Sequence, residues 1–260
     1  MVFGRFRYNR KNEEEQNKKN KINGISIYSF EDIVPKDIGK KENIYYQDIK
    51  EHFDDLFPGR KIGHYSDPRN DNSVANISIL FPQEADDFYV LYTTGMSSME
   101  MAIPDELIEE YPEFKRAELF MLLPYDWDID DMLSHDPEEN NFWPLKLLLT
   151  LASFPHHYGT WFGPGHTIGI TPDYAPFAEN TKLCSAMFVA LGDDICVIQA
   201  KDNTEISAYL VLPIYKEETE YKISKGYDAF LDRYTEIFNE DDGRQWIVRI
   251  NRQNVCSDEK

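Results

Sequence analysis

The chain has 260 residues, 42% hydrophobic and 14% aromatic, enough apolar material for a packed core and too much for a disordered chain. Its 47 acidic and 27 basic residues give a net charge of −20, a field that repels phosphate backbones and draws basic partners. The imbalance is uneven. Residues 1–24 hold seven Lys/Arg against three Glu, which leaves the remainder with twenty basic and 44 acidic residues, a net −24.

Residues 1–24 have almost no aliphatic content after Phe6 and read as a basic disordered tail. No apolar leader is visible there, and the longest apolar run, Leu145 to Ala152, is far too short to cross a bilayer. The three cysteines, Cys184, Cys196 and Cys256, make no CxxC pair and leave one over. A reduced, cytoplasmic protein with bystander thiols is the economical expectation.

In chain order, residues 44–57 space Ile44, Ile49, Phe53 and Leu56 at helical intervals, and Pro58-Gly59 stops the helix. Residues 74–81 place Ala75, Ile77, Ile79 and Phe81 on one strand face, and a turn then leads to a second strand at 88–93, a hairpin. The run from Ala117 to Leu123 is apolar throughout except for Glu118, as in a strand covered on both faces. Asn140-Asn141 are expected to cap a helix over 142–153 with Pro144 in its first turn. Further strands are expected at 184–191, 195–199 and 206–212, the first two forming a hairpin through Gly192-Asp193-Asp194. Helical spacing returns over 217–225 and 227–238. With no repeat and no strict strand–helix alternation, the pattern predicts one α+β domain over 25–245, a mixed sheet covered by helices, with 246–260 as a C-terminal tail.

Four patterns that invite a catalytic or metal assignment each fail on physical grounds. The Gly95-Met96-Ser97-Ser98-Met99 stretch lacks the second glycine of a nucleophile elbow. Asp126, Asp128 and Asp130 begin a calcium-loop pattern, but its sixth position is Asp131 instead of Gly and its twelfth is Pro137 instead of Glu. His156, His157 and His166 have no HExxH or CxxC partner to complete a tetrahedral metal set. The glycines at 163, 165 and 169 miss the dinucleotide spacing by one residue. Glu118 stands out differently. A carboxylate at the head of an apolar strand either faces solvent or accepts hydrogen bonds from a neighbouring loop and locks it, and the lock is the expectation.

Five phrases in order resemble the Suppressor of fused-like (SUFU) domain family: LYTTGMSSM (91–99), RAELFMLLP (116–124) followed by DW (126–127), FWPLKLLLTLASFP (142–155), GTWFGPGHTI (159–168) and AYLVLPIYKEE (208–218). The family pattern falls on Gly95, Met96, Ser97, Glu118, Leu119, Pro124, Trp127, Trp143, Ala152, Pro155, Thr160, Gly165, His166, Thr167 and Pro213. The resemblance implies a mixed-sheet domain with no catalytic residues, no cofactor and no metal. In animals, two-domain relatives hold a transcription-factor peptide between domains. Short bacterial members resemble immunity proteins that neutralise toxins, and this chain resembles the bacterial type. The implied partner is a protein, a toxin and a basic one such as a nuclease, with neither nucleic acid nor membrane. Asp126, Asp128, Asp130, Asp131, Glu217, Glu218 and Glu220 are its candidate contacts. A peptide-capturing scaffold and a metal-dependent hydrolase using the 156–166 histidines stand as alternatives.

Overall fold

The structure is a computed structural model that describes residues 20–22, 25–27, 30, 34–39, 41–66, 74–134, 136–239 and 243–257. Most of the basic tail lies outside them; Asn20–Ile22 (β1) and Ile25–Ile27 (β2) pair antiparallel as a separate ribbon. The body follows as helix α1 (Tyr46–Leu56), strands β3 (Ile62–Tyr65), β4 (Asn76–Leu80) and β5 (Phe88–Thr94), α2 (Asp105–Ile108), β6 (Ala117–Pro124), α3 (Ile129–Met132) and α4 (Glu139–Tyr158). It continues with β7 (Thr167–Gly169), β8 (Ser185–Val189), α5 (Asp193–Cys196), β9 (Val197–Gln199), β10 (Glu205–Ile214), α6 (Lys216–Lys225) and α7 (Tyr227–Ile237).

Eight strands form one sheet in the order β3-β4-β5-β6-β10-β8-β7, with β9 also on β10. The β6–β10 pair is parallel and the other pairings are antiparallel, so the sheet is mixed and the fold is α+β. Period-two alternation sends side chains to both faces. Leu119, Met121 and Leu123 of β6 pack with Trp143, Leu148 and Leu151 of α4 on one side. Phe120 and Leu122 pack with Ile49 and Phe53 of α1 and Phe230 and Tyr234 of α7 on the other. Phe53 stacks on Tyr92 of β5 with centroids 4.1 Å apart, the contact that seats α1.

The expected β4–β5 hairpin is present; the hairpin through Gly192-Asp193-Asp194 is not. β8 and β9 both pair antiparallel with β10, β8 against Leu210–Ile214 and β9 against Glu205–Ser207, so they lie end to end along one strand. The acidic pair Asp193-Asp194 starts the short helix α5 instead of a two-residue turn. Helix α4 also begins earlier and ends later than expected. Its N-cap is Glu138, so Asn140 and Asn141 lie inside it and Pro144 falls in the second turn. A proline there removes the N–H that would bond the Asn140 carbonyl; Asn180 Nδ2 donates to that oxygen instead, at 3.2 Å.

Residues beyond 245, read as a tail, enter the fork where β6 and β10 part. Ile247 bridges Leu122 in parallel and Val248 N–H donates to Leu122 O at 2.9 Å. Arg252 then closes a fully enclosed ion pair with Glu218: Nη1 donates to Oε1 at 2.6 Å and Nη2 to Oε2 at 2.5 Å, with side-chain exposures of 3% and 0%. The Gln253 and Pro213 carbonyls also accept from Nη1 and Nη2, and the Tyr215 and Tyr234 rings flank the guanidinium. Removing one member strands the other charge. Arg252→Met is therefore expected to lower unfolding free energy by about 3–5 kcal/mol. The double variant Arg252→Met/Glu218→Leu should lose less than the sum of the two single changes, as read by urea denaturation.

Candidate functional site

The sheet positions two groups of side chains: a buried lock built on Glu118, and an acidic end built on the loops after β6 and β10. The lock begins where β5 leaves the sheet. Gly95 turns the chain with φ 113°, and a Cβ there would lie 2.8 Å from Val74 O, so only glycine fits. A single 3₁₀ turn, Met96–Ser98, follows and buries Met96 and Ser97 completely.

Glu118, fully buried on the adjacent strand, takes four hydrogen bonds. Oε1 accepts from Gly95 N (2.9 Å), Ser97 N (3.0 Å) and Ser97 Oγ (2.6 Å), and Oε2 accepts from Thr93 Oγ1 (2.6 Å). Burial pushes the carboxyl above the usual carboxylate range while these four donors pull it back. The shell around the turn is also tied down. Arg116 Nη1 donates to Ser97 O at 2.7 Å, His156 Nε2 lies 3.0 Å from Met96 O, and Ile44 N–H donates to Ser98 Oγ at 3.3 Å. Ser97, the residue at the nucleophile-like position, spends its hydroxyl on Glu118.

The remaining motif residues are spread over β6 and the turn after it, α4, the loop leading into β7, and β10. Trp127 and Trp143 meet edge to face at 5.9 Å, and Trp127 Nε1 donates to Asn141 O at 3.1 Å. His156 and His157 occupy the last turn of α4, and His166 sits edge-on to Trp161 at 4.5 Å. Gly165 has φ 80° and lies against Tyr227. Among the described residues no three His, Cys, Asp or Glu side chains converge as a metal ion requires, and no helix is long and apolar enough to cross a membrane. All three cysteines are buried.

The acidic end follows from topology. Parallel strands β6 and β10 run out at the same end of the sheet, so Asp126–Asp131 and Lys216–Glu220 emerge side by side. Their side chains have different fates. Asp128 Oδ1 caps α3 by accepting from Asp131 N at 3.0 Å, and Asp131 Oδ2 holds Glu138 N and Asn141 Nδ2. Asp126 and Asp130 are exposed beside Tyr125, which is 49% exposed. Glu217 accepts from Asn254 Nδ2, and Glu220 faces Lys216 at 3.9 Å. Glu218 corrects the sequence expectation, because a side chain sealed under Arg252 is not available to a partner. Sequence reasoning also missed Arg252. The signal was the Tyr215-x-x-Glu218 spacing, in which a carboxylate three residues into a helix returns to the cap N–H, here at 2.9 Å.

The model of the family described as Suppressor of fused protein (SUFU) matches residues 71–253. An uncharacterised protein of Ureaplasma parvum serovar 3 is 25% identical over 166 residues, 64% of this chain and 72% of that one. The crystal structure of a SUFU homologue from Neisseria gonorrhoeae superposes with a TM-score of 0.55 at 17% identity, covering 81% of this chain and 96% of that one. A chain of the Sufu–Fu complex gives 0.54 at 15% identity (80% and 90% coverage), and Drosophila Suppressor of Fused gives 0.53 at 13% (80% and 50%). The fold is that of a SUFU-type α+β domain. The chain belongs to the SUFU family.

Two predictions follow from this geometry. Glu118→Ala leaves four buried donors without an acceptor and is expected to cost at least about 3 kcal/mol, with Glu118→Gln, which keeps one acceptor and the volume, losing less; urea midpoints measure both. His166 titrates near 4, below the ordinary 6.5, because burial and the Lys222 ammonium disfavour its charged form against an opposing hydrogen bond to the Trp161 backbone. Between pH 6.5 and 4 the unfolded chain therefore binds the proton that the folded chain refuses, and stability falls as pH falls. His166→Gln should flatten that fall by up to about 1.4 kcal/mol per pH unit relative to wild type, measured as denaturation free energy against pH.

Proposed function

We propose that the chain is an immunity protein that binds and neutralises a basic toxin, by occlusion and not by catalysis. The observation that carries the reading is the acidic end of the sheet. There Asp126, Asp130 and Tyr125 are exposed on one loop stiffened by the Asp128 and Asp131 caps. A rigid aromatic beside unpaired carboxylates combines an anchor with electrostatic steering. The −24 body charge extends that field, and the resemblance to short bacterial SUFU members supplies the toxin. A relative solved as a Sufu–Fu complex makes a protein partner consistent with the family.

Co-expression with the toxin encoded next to this chain is expected to rescue growth; continued killing rejects the reading. The double reversal Asp126→Lys/Asp130→Lys should slow association about tenfold or more at low salt and leave dissociation nearly unchanged. Stopped-flow rates against ionic strength test this, and a salt-insensitive rate contradicts the steering.

A second reading, capture of an extended peptide by strand addition, is favoured by β3, which pairs only with β4 among the described strands and leaves its outer edge open. Pull-down followed by mass spectrometry separates the two, a regulatory peptide supporting the second and a toxin the first.

A further inference from the structure

The 3₁₀ turn Pro112–Lys115 that leads into β6 and the turn between β9 and β10 enclose an open cleft of about 480 Å³. It lies at the end of β6 opposite the Asp126–Asp131 loop. Lys115, Arg116 and Glu100 line one side of it, and Asn203, Thr204 and Glu205 the other. Strand register explains the juxtaposition. β10 pairs parallel with β6, Ser207 opposite Ala117, so two residues earlier Glu205 is level with Lys115. Ser207 fixes that level, its N–H donating to Arg116 O at 2.9 Å and its Oγ to Glu113 O at 3.0 Å. Opposite charges so placed attract. Yet Lys115 and Glu205 each make neither a salt bridge nor a side-chain hydrogen bond among the described residues.

Arg116 is held in place beside them. Nη1 donates to Ser97 O at 2.7 Å, and the guanidinium lies 5.5 Å from the Tyr45 ring centroid. The Tyr45 hydroxyl donates to Thr204 Oγ1 at 3.4 Å, so one arch of contacts spans the cleft from wall to wall. Nη2 is left facing Glu100 Oε1 at 3.4 Å, long against the roughly 2.7–2.9 Å of a charge-assisted hydrogen bond. The Glu100 side chain is 55% exposed, a loosely held partner that a better-placed carboxylate can replace. On the far wall Asn203 turns the chain with φ 69° and donates its N–H to Ala200 O. Its side-chain amide has no partner among the described residues.

We infer that this cleft binds a small zwitterion of the α-amino-acid class. The ligand's carboxylate takes Lys115 Nζ and Arg116 Nη2, its ammonium takes Glu205, and an uncharged polar side chain meets the Asn203 amide. Charge decides the class. Two cations and two carboxylates leave the walls neutral within a strongly acidic body. A simple anion would have to overcome the surrounding field, and a simple cation would leave Lys115 unanswered. Size agrees, since clefts that hold small molecules begin at roughly 300 Å³. The Ser97 contact also gives the motif turn a second consequence: the turn that Glu118 locks aims Arg116 into the cleft. The site is separate from the acidic end of the sheet and does not rest on the immunity reading.

L-Glutamine is the probe, titrated into the full chain at pH 7 with the amide resonances of Lys115, Asn203 and Thr204 followed by NMR. Acetate and ethylammonium, each carrying one of its two charges, are titrated in parallel at the same ionic strength. Saturable shifts with L-glutamine are expected, with either half-ligand at least about tenfold weaker. Lys115→Met and Glu205→Gln should each weaken L-glutamine about tenfold, the loss of one charge-assisted hydrogen bond. Both side chains reach solvent, so the variants should melt with the wild type and report binding alone. Shifts that do not saturate, a half-ligand that binds as tightly as L-glutamine, or wild-type affinity in the variants overturns the proposal.

Discussion

The Glu118 carboxylate is the interaction on which the rest of the body depends. It sits in β6, the strand that joins the antiparallel half of the sheet to β10, and it gathers the end of β5 and the Met96–Ser98 turn around four donors. That turn is in contact with everything nearby. Its carbonyls receive Arg116 and His156, and Ser98 Oγ receives the chain entering α1. An ionisable group fully out of water is costly; here four donors offset part of that cost, and the same donors fix the geometry of three elements at once. The Thr93 and Ser97 hydroxyls of the most motif-like stretch are consumed by this network.

A second enclosed charge does for the C-terminal residues what Glu118 does for the turn. Glu218 and Arg252 join the head of α6 to the segment that fills the fork between β6 and β10. The consequence for function is positional. With the fork filled and Glu218 internal, what stays exposed at that end among the described residues includes parts of the Asp126–Asp131 loop and of the first turn of α6. The two structural carboxylates and the two exposed aspartates have the same chemistry and opposite roles, decided by whether a donor is within reach.

Much of the fold was legible because its elements are strongly periodic. Ile49 and Phe53 one turn apart, the Ala75-Ile77-Ile79 alternation and the unbroken run of β6 each have one reading. Glu118 was legible for a related reason: a lone carboxylate in an apolar run demands donors. The failures have equally specific causes. Gly192-Asp193-Asp194 carries hairpin chemistry, but β10 is ten residues long and offers β8 and β9 separate stretches to pair with, so tertiary pairing overrode the local turn signal. Asn140-Asn141 looked like a cap because Pro144 was assumed to need a first turn; Asn180, forty residues away, satisfies the carbonyl that the proline frees. Glu218 was grouped with its acidic neighbours because its partner, Arg252, is 34 residues distant, beyond any local pattern.

Native-state hydrogen exchange at the Gly95 and Ser97 amides tests the central claim, that the motif residues form a structural lock, most directly. Both N–H groups end on Glu118 Oε1. If the lock holds the body together, they exchange only through global opening, with the same free energy as the amides of β6. Exchange through a local opening several kcal/mol cheaper than global unfolding would contradict it, and would return the Met96–Ser98 turn to the surface as a mobile loop.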